Sequence, residues 1–185
     1  MRGKLVCLVA VVALSATIVV ADALEDKIAQ DRTGGGVYST GIVDRDGGDD
    51  CGSAPLITTA VYNDSGDTTG YTNTWTPTVS TYTQDGEDQA YQIVITTPGT
   101  IDVSMTSTYD GSTYLLAAAD CGNPTPTALA GADDAFAGGT ETFNYSAAAG
   151  TYYVVVDGWN PGVAGPFSLT VTSNVPVELT KLSVE

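Results

Sequence analysis

From Pro55 onward, apolar and polar residues alternate in short runs. Tyr91, Ile93 and Ile95 are spaced by Gln92 and Val94; Ile101, Val103 and Met105 by Asp102 and Ser104; Phe167, Leu169 and Val171 by Ser168 and Thr170. A period of two sends successive side chains to opposite faces of an extended chain, so each run predicts a half-buried strand. Tyr152, Tyr153, Val154, Val155 and Val156 are apolar at every position, which predicts a central strand covered on both faces. Weaker strands are expected near Leu56 to Tyr62, Val79 to Thr83, Tyr114 to Ala118 and Thr140 to Tyr145. Gly, Pro, Asn and Asp cut these runs at the spacing of an antiparallel sandwich, and helix signals are nearly absent. Threonine-rich outer faces suit such a fold, because threonine is β-branched yet tolerates water.

The two ends read differently. Arg2 and Lys4 precede an almost purely apolar stretch from Leu5 to Val20, closed by small residues. This predicts a secretory signal over residues 1–23, cleaved after Ala21 or Ala23; the rival is an uncleaved anchor, which would need about 20 apolar residues. Residues 24–49 form an acidic, glycine-rich arm or linker, 50–174 the β domain, and 175–185 a tail that could add as a strand to a neighbour. Export discards Cys7 with the signal and places Cys51 and Cys121 in an oxidising compartment, where each has one intramolecular partner. A disulfide between them is the economical reading, and two unrelated buried thiols the alternative.

Charge narrows the chemistry. Twenty-two Asp and Glu against six Lys and Arg give a net charge of −16. The 135 residues from Asp46 to Thr180 hold sixteen carboxylates and no Lys, Arg or His. That excludes histidine-assisted nucleophiles, Schiff-base lysines, histidine zinc sites and arginine phosphate clamps there. Nucleic acid and anionic membrane surfaces are poor partners for such a chain, and no membrane insertion is expected after signal cleavage. A hard cation such as Ca²⁺ is the natural counter-charge. Asp44, Asp46, Asp49 and Asp50, interrupted by Gly47 and Gly48, have the composition of a calcium loop without EF-hand spacing; the other reading is a solvated acidic linker. Paired carboxylates could also serve a glycosidase, but any chain this acidic offers such pairs. Trp159, in a loop after Asp157-Gly158, and Trp75 and Tyr153 are candidate ligand contacts through their rings.

The segment Gly150-Thr-Tyr-Tyr153, the Asp157-Gly158 turn and the final strand Phe167-Ser-Leu-Thr-Val171 resemble the end of the bacterial pre-peptidase C-terminal domain family. Asp85-Gly-Glu-Asp88 followed by Tyr91-Gln-Ile93 is similar to that family's acidic turn and aromatic strand, and Gly99-Thr-Ile-Asp-Val103 to its next strand. Asp110, Tyr114-Leu115 and Asp120-Cys121 resemble the segment after it, so the likeness spans about Asp50 to Ser173. It implies a jelly-roll-like β-sandwich, usually an accessory unit of secreted hydrolases. Relatives in bacterial collagenases bind Ca²⁺ and collagen, with ligands from an acidic arm and a D-x-x-D turn. Asp85 and Asp88 match that turn, and Asp44, Asp46, Asp49 and Asp50 occupy the arm, which here is Asp-only and runs straight into Cys51.

The expected function is a non-catalytic, secreted or cell-surface binding or adhesion module, stabilised by Ca²⁺. Its partner would be an extracellular protein, a polysaccharide or another copy of itself. The rival is a structural subunit of an extracellular fibre or surface layer assembled by strand addition, and a weaker alternative is a carboxylate-dependent glycan hydrolase.

Overall fold

A computed structural model of the chain describes residues 47–175. Eleven strands follow in order: β1 (Leu56–Ile57), β2 (Val61–Asp64), β3 (Thr78–Val79), β4 (Tyr82–Thr83), β5 (Gln89–Ile95), β6 (Gly99–Ser107), β7 (Gly111–Ala117), β8 (Ala130–Ala132), β9 (Thr140–Ala147), β10 (Gly150–Gly158) and β11 (Phe167–Ser173). A single 3₁₀ turn, Ala118–Asp120, follows β7. The antiparallel β-sandwich expected from the alternation is the fold observed. One sheet has the order β1-β5-β10-β7-β8, the other β2-β11-β6-β9, and β3 and β4 form a separate hairpin. Every pairing is antiparallel except β1 with β5. The chain changes sheet between β1 and β2, β5 and β6, β6 and β7, β8 and β9, β9 and β10, and β10 and β11, so successive connections hold the hydrophobic faces of the two sheets against each other.

The core between the sheets is built from the alternating positions. Tyr91, Ile93 and Ile95 of β5 and Tyr152, Val154 and Val156 of β10 meet Ile101, Val103 and Met105 of β6 and Phe167, Leu169 and Val171 of β11. The remaining apolar residues of β10, Tyr153 and Val155, face the other way into a second cluster with Trp75, Val79, Ala90, Tyr114 and Leu116. The continuous apolar run of β10 therefore has the cause expected of it. A central strand sits under a second sheet on one side and under loops on the other.

Those covering loops are tied down. Cys51 and Cys121 form a disulfide, with Cα atoms 6.0 Å apart, within the range such bridges span. Trp75 is fully buried beside it and its Nε1 donates to the Cys121 carbonyl at 3.1 Å. The sheet also reaches into the segment expected to be linker: Gly48 and Ala90 exchange N–H···O bonds of 2.8 Å each. A side chain on Gly48 would collide with the Ser53 and Ala54 backbone, so glycine is what lets the incoming chain lie this close. The ordered β unit thus includes the last residues of the arm. The tail from residue 176, the apolar N-terminal stretch, Asp44 and Asp46 lie outside the described residues.

Candidate binding cleft and a buried carboxylate pair

Two acidic constellations stand out, both beside the end of β10. The first is an open cleft of about 290 Å³ lined by Tyr82, Asp110, Asp133, Asp134, Ala135, Phe136 and Trp159. Its residues come from four places in the sequence: the β3-β4 hairpin, the β6-β7 connection, the loop after β8 and the loop after β10. Phe136 is 84% exposed, Tyr82 55% and Trp159 40%, an arrangement at odds with ordinary core packing for aromatic rings.

Each wall has an identifiable support. Glu141 lies on the inward face of β9, in line with Phe143 and Tyr145, where alternation would place an apolar residue. It is buried, and its carboxylate accepts the backbone N–H of Asp134 at 3.0 Å and of Ala135 at 2.6 Å. A buried charge satisfied this way fixes the start of the loop that carries Phe136. Gly139 then donates to the Phe136 carbonyl at 2.8 Å and closes the turn. On the opposite wall, the backbone N–H of Trp159 donates to the Asp110 carbonyl at 3.3 Å, which couples the two loops.

Tyr82 is presented by a hairpin with unusual turn residues. Ser80 and Thr81 occupy the two-residue loop between β3 and β4, with φ of 47° and 82°. Such turns favour Asn-Gly, and a β-branched residue in this region is a strained exception. Ser80 Oγ accepts the Asp133 N–H at 3.3 Å, so the turn is attached to the cleft floor.

Asp133 is that floor. It is only 7% exposed, and its Oδ2 accepts from Gln84 Nε2 at 2.7 Å. Burial raises its pKa, the Gln84 bond opposes the shift, and the charges of Asp110, Glu141 and Asp134 add to it.

The second constellation lies at the end of β10 under the Trp75 loop. Asp157 follows Val156, which pairs with Gln89, so Asp157 and Asp88 stand across from each other at the strand ends. Both are fully buried. Asp88 Oδ2 accepts the N–H groups of Thr74 at 2.8 Å and Trp75 at 3.0 Å, and Asp157 Oδ2 accepts from Tyr114 Oη at 2.8 Å. The other oxygen of each, Asp88 Oδ1 and Asp157 Oδ1, is buried with no hydrogen-bond partner among the described residues. Burial is the main cause of a raised pKa at both, to about 7 for Asp88 and well above the usual carboxylate range for Asp157, with repulsion from Asp49 and Asp88 respectively adding to it. Gly158 closes this corner: its carbonyl accepts from Gly86 at 2.8 Å, and a side chain there would strike the Val163 carbonyl.

The residues singled out from sequence are distributed unevenly over these two places. Trp159 lies in the cleft. Trp75 does not reach a ligand-accessible surface; its ring is core, held by the Cys121 carbonyl, and its proposed role as a ligand contact is corrected accordingly. Tyr153 is also buried, with its hydroxyl accepting from Gln92 Nε2 at 3.0 Å. Of the calcium candidates, Asp49 accepts from the backbone of Thr72 at 2.6 Å, Asp50 caps Ser53 at 2.8 Å in an exposed turn, and Asp85 accepts from Asn73 Nδ2 at 2.6 Å. Ser53 lowers the pKa of Asp50. Among the described residues, no group of three or more acidic, Cys or His side chains comes together to hold a metal ion. Asp157, Tyr82, Asp133, Asp134 and Phe136 were not among the sequence candidates. Phe136 had a readable signal, as a lone large apolar residue in an Ala-Gly-Asp stretch without alternation.

No family model matches the chain, and no curated protein matches it. Among solved structures, it is similar to the pre-peptidase C-terminal domain of a collagenase from Bacillus anthracis, at 20% identity and a TM-score of 0.43, over 64% of this chain and 94% of that one. This is a domain of the family that residues 50–173 resemble. The chain is also similar to PliG of Aeromonas hydrophila, a periplasmic inhibitor of g-type lysozyme, at 14% identity and a TM-score of 0.43, over 65% of this chain and 96% of that one. Nothing about the ligand of this chain follows from either likeness.

Proposed function

We propose that this is an exported, non-catalytic binding module that engages an extracellular protein or polysaccharide through the cleft of Tyr82, Phe136 and Trp159, in a fold stabilised by Ca²⁺. The observation that carries the reading is the convergence of three exposed aromatic side chains, from the β3-β4 hairpin and two separate loops, on one concavity. Exposed aromatic rings on supported loops are a common means of ligand contact, since they offer large contact area at low entropic cost. Export is supported by the apolar N-terminal stretch and the disulfide. A non-catalytic role is supported by the 135 residues without a basic side chain, which leave carboxylates as the main acid–base groups.

The calcium part rests on Asp88 and Asp157. Each buries one carboxylate oxygen without a partner among the described residues, and a divalent cation would satisfy both while favouring their charged forms. Asp88 and Asp157 would hold the ion, and backbone carbonyls and water would supply the remaining oxygens. The Asp88 member of the Asp85/Asp88 turn is kept in this reading, while Asp85 is committed to Asn73.

Retention of the mature chain on immobilised collagen-like peptides, a polysaccharide panel and the protein itself tests the binding part. Loss of retention in Trp159→Ala and Phe136→Ala, at unchanged melting temperature, is expected; retention by nothing, or retention indifferent to both changes, ends the reading. For calcium, a rise in melting temperature that Asp88→Asn abolishes is expected, at fixed ionic strength against a chelated control. An equal rise in the variant refutes the assignment.

A further inference from the structure

The binding reading leaves the ligand class open, and the cleft's own chemistry narrows it. Three carboxylates, Asp110, Asp133 and Asp134, share the concavity with the three exposed rings. We propose that the cleft takes an arginine side chain presented by a basic partner protein; the inference rests on the cleft being the binding site.

Four observations lead there. Asp133 is more than nine-tenths buried and lines the cavity, and Gln84 Nε2 donates to its Oδ2, so a carboxylate is held in place against the cavity. Among the described residues no protein cation is available to answer it, because none of them is Lys, Arg or His. Around that acceptor stand rings of Tyr82, Phe136 and Trp159, whose faces attract a cation and stack on a planar one. Finally, a volume of about 290 Å³ sits at the lower edge of the roughly 300–1,000 Å³ typical of small-molecule pockets, room for one side chain rather than several sugar rings. A guanidinium satisfies all four, as a planar, permanently charged donor of paired N–H bonds to carboxylate. A lysine ammonium supplies the charge without the plane. A neutral sugar would leave the carboxylates uncompensated, and an acidic one would be repelled.

The two tryptophans make the cleft observable, since Trp75 is fully buried and Trp159 is exposed at the rim. The mature chain is titrated with a blocked Gly-Arg-Gly peptide and its citrulline counterpart, which keeps the shape and loses the charge, while tryptophan fluorescence is followed at low and physiological salt. The arginine peptide is expected to change the Trp159 signal and to bind at least tenfold more tightly than citrulline, with a lysine peptide between them. Asp133→Asn and Phe136→Ala should each weaken binding tenfold or more. Phe136 is solvent-exposed enough that its removal leaves folding intact, and circular dichroism confirms the fold of both variants. Asp102→Asn, the same charge change on an exposed position of β6, should leave binding as it was. Equal affinity for arginine and citrulline peptides, or equal weakening by Asp102→Asn and Asp133→Asn, overturns the inference in favour of bulk attraction to an acidic protein. A polysaccharide that binds in a Phe136-dependent way, with no response to arginine, overturns it while the cleft reading stands. No cleft-dependent response to any probe overturns both.

Discussion

Replacing Asp88 by Asn should change how stability depends on pH in a way that a merely structural turn residue would not. Asp88 is buried beneath the Trp75 loop, and its pKa rises from 3.8 to about 7 on folding. Below about pH 4 the carboxyl is protonated in both the folded and unfolded chains, and its contribution to stability is fully present. Between about 4 and 7 the unfolded chain gives up the proton while the folded one keeps it, so stability falls as pH rises. The slope approaches about 1.4 kcal/mol per pH unit. Across the roughly three units involved, the loss comes to about 4 kcal/mol, a large share of the 5–15 kcal/mol that typically separates folded from unfolded chains. Asn keeps an oxygen for the Thr74 and Trp75 N–H groups and removes the titration. Urea unfolding of both proteins from pH 4 to 8, in chelator and at fixed ionic strength, reads the effect of removing this charge, including its repulsion of Asp157, while the exposed carboxylates are common to both and cancel in the difference. The wild-type protein should lose about 4 kcal/mol relative to Asp88→Asn over that range. Added Ca²⁺ should recover much of the loss near pH 7 in the wild-type protein alone, since a cation favours the ionised carboxylate. Parallel pH profiles, or a wild-type advantage that grows with pH, would refute the reasoning about this carboxylate.

Two further measurements probe the loops around the cleft and the sheet. Thr81→Gly should raise stability by about 1 kcal/mol, because it relieves a β-branched residue at φ 82° without touching the Ser80 hydroxyl that accepts from Asp133. A lower denaturation midpoint would show that the turn is unstrained. Cys51→Ser with Cys121→Ser opens a bridge of sequence separation 70, worth about 4 kcal/mol in the chain-entropy model. A urea midpoint that does not move would mean that the Trp75 loop is held by packing alone.

Much of the fold was legible along the chain because a sheet face is a local property. Period-two alternation in β5, β6 and β11 and the unbroken apolar run of β10 record which faces meet water and which do not, one residue at a time. The same was true of the cysteine pair, since elimination left one partner for each. The unbroken run also implied a cover on the outer face of β10, but not that Trp75 would supply it. An aromatic residue before a proline looks the same in sequence whether it ends in a core or on a rim, and only the docking of the loop against Cys121 decides.

The acidic residues show the limit most clearly. Asp85 and Asp88 lie three positions apart, yet one is partly exposed and bonded to Asn73 while the other is buried with an oxygen unpartnered among the described residues. Asp88's neighbour is Asp157, sixty-nine positions away, because β5 and β10 pair in register. The cleft likewise gathers Tyr82 from the β3-β4 hairpin and Asp110, Asp133, Phe136 and Trp159 from connections between strands of the two sheets. By itself the sequence determined that strands would form, which faces would be apolar, and that no side chain between Asp46 and Thr180 could neutralise the carboxylates. Which carboxylates are buried together, and which rings are left facing water, was decided by strand order and register. Those depend on contacts between residues far apart in the chain, and a pattern read locally does not contain them.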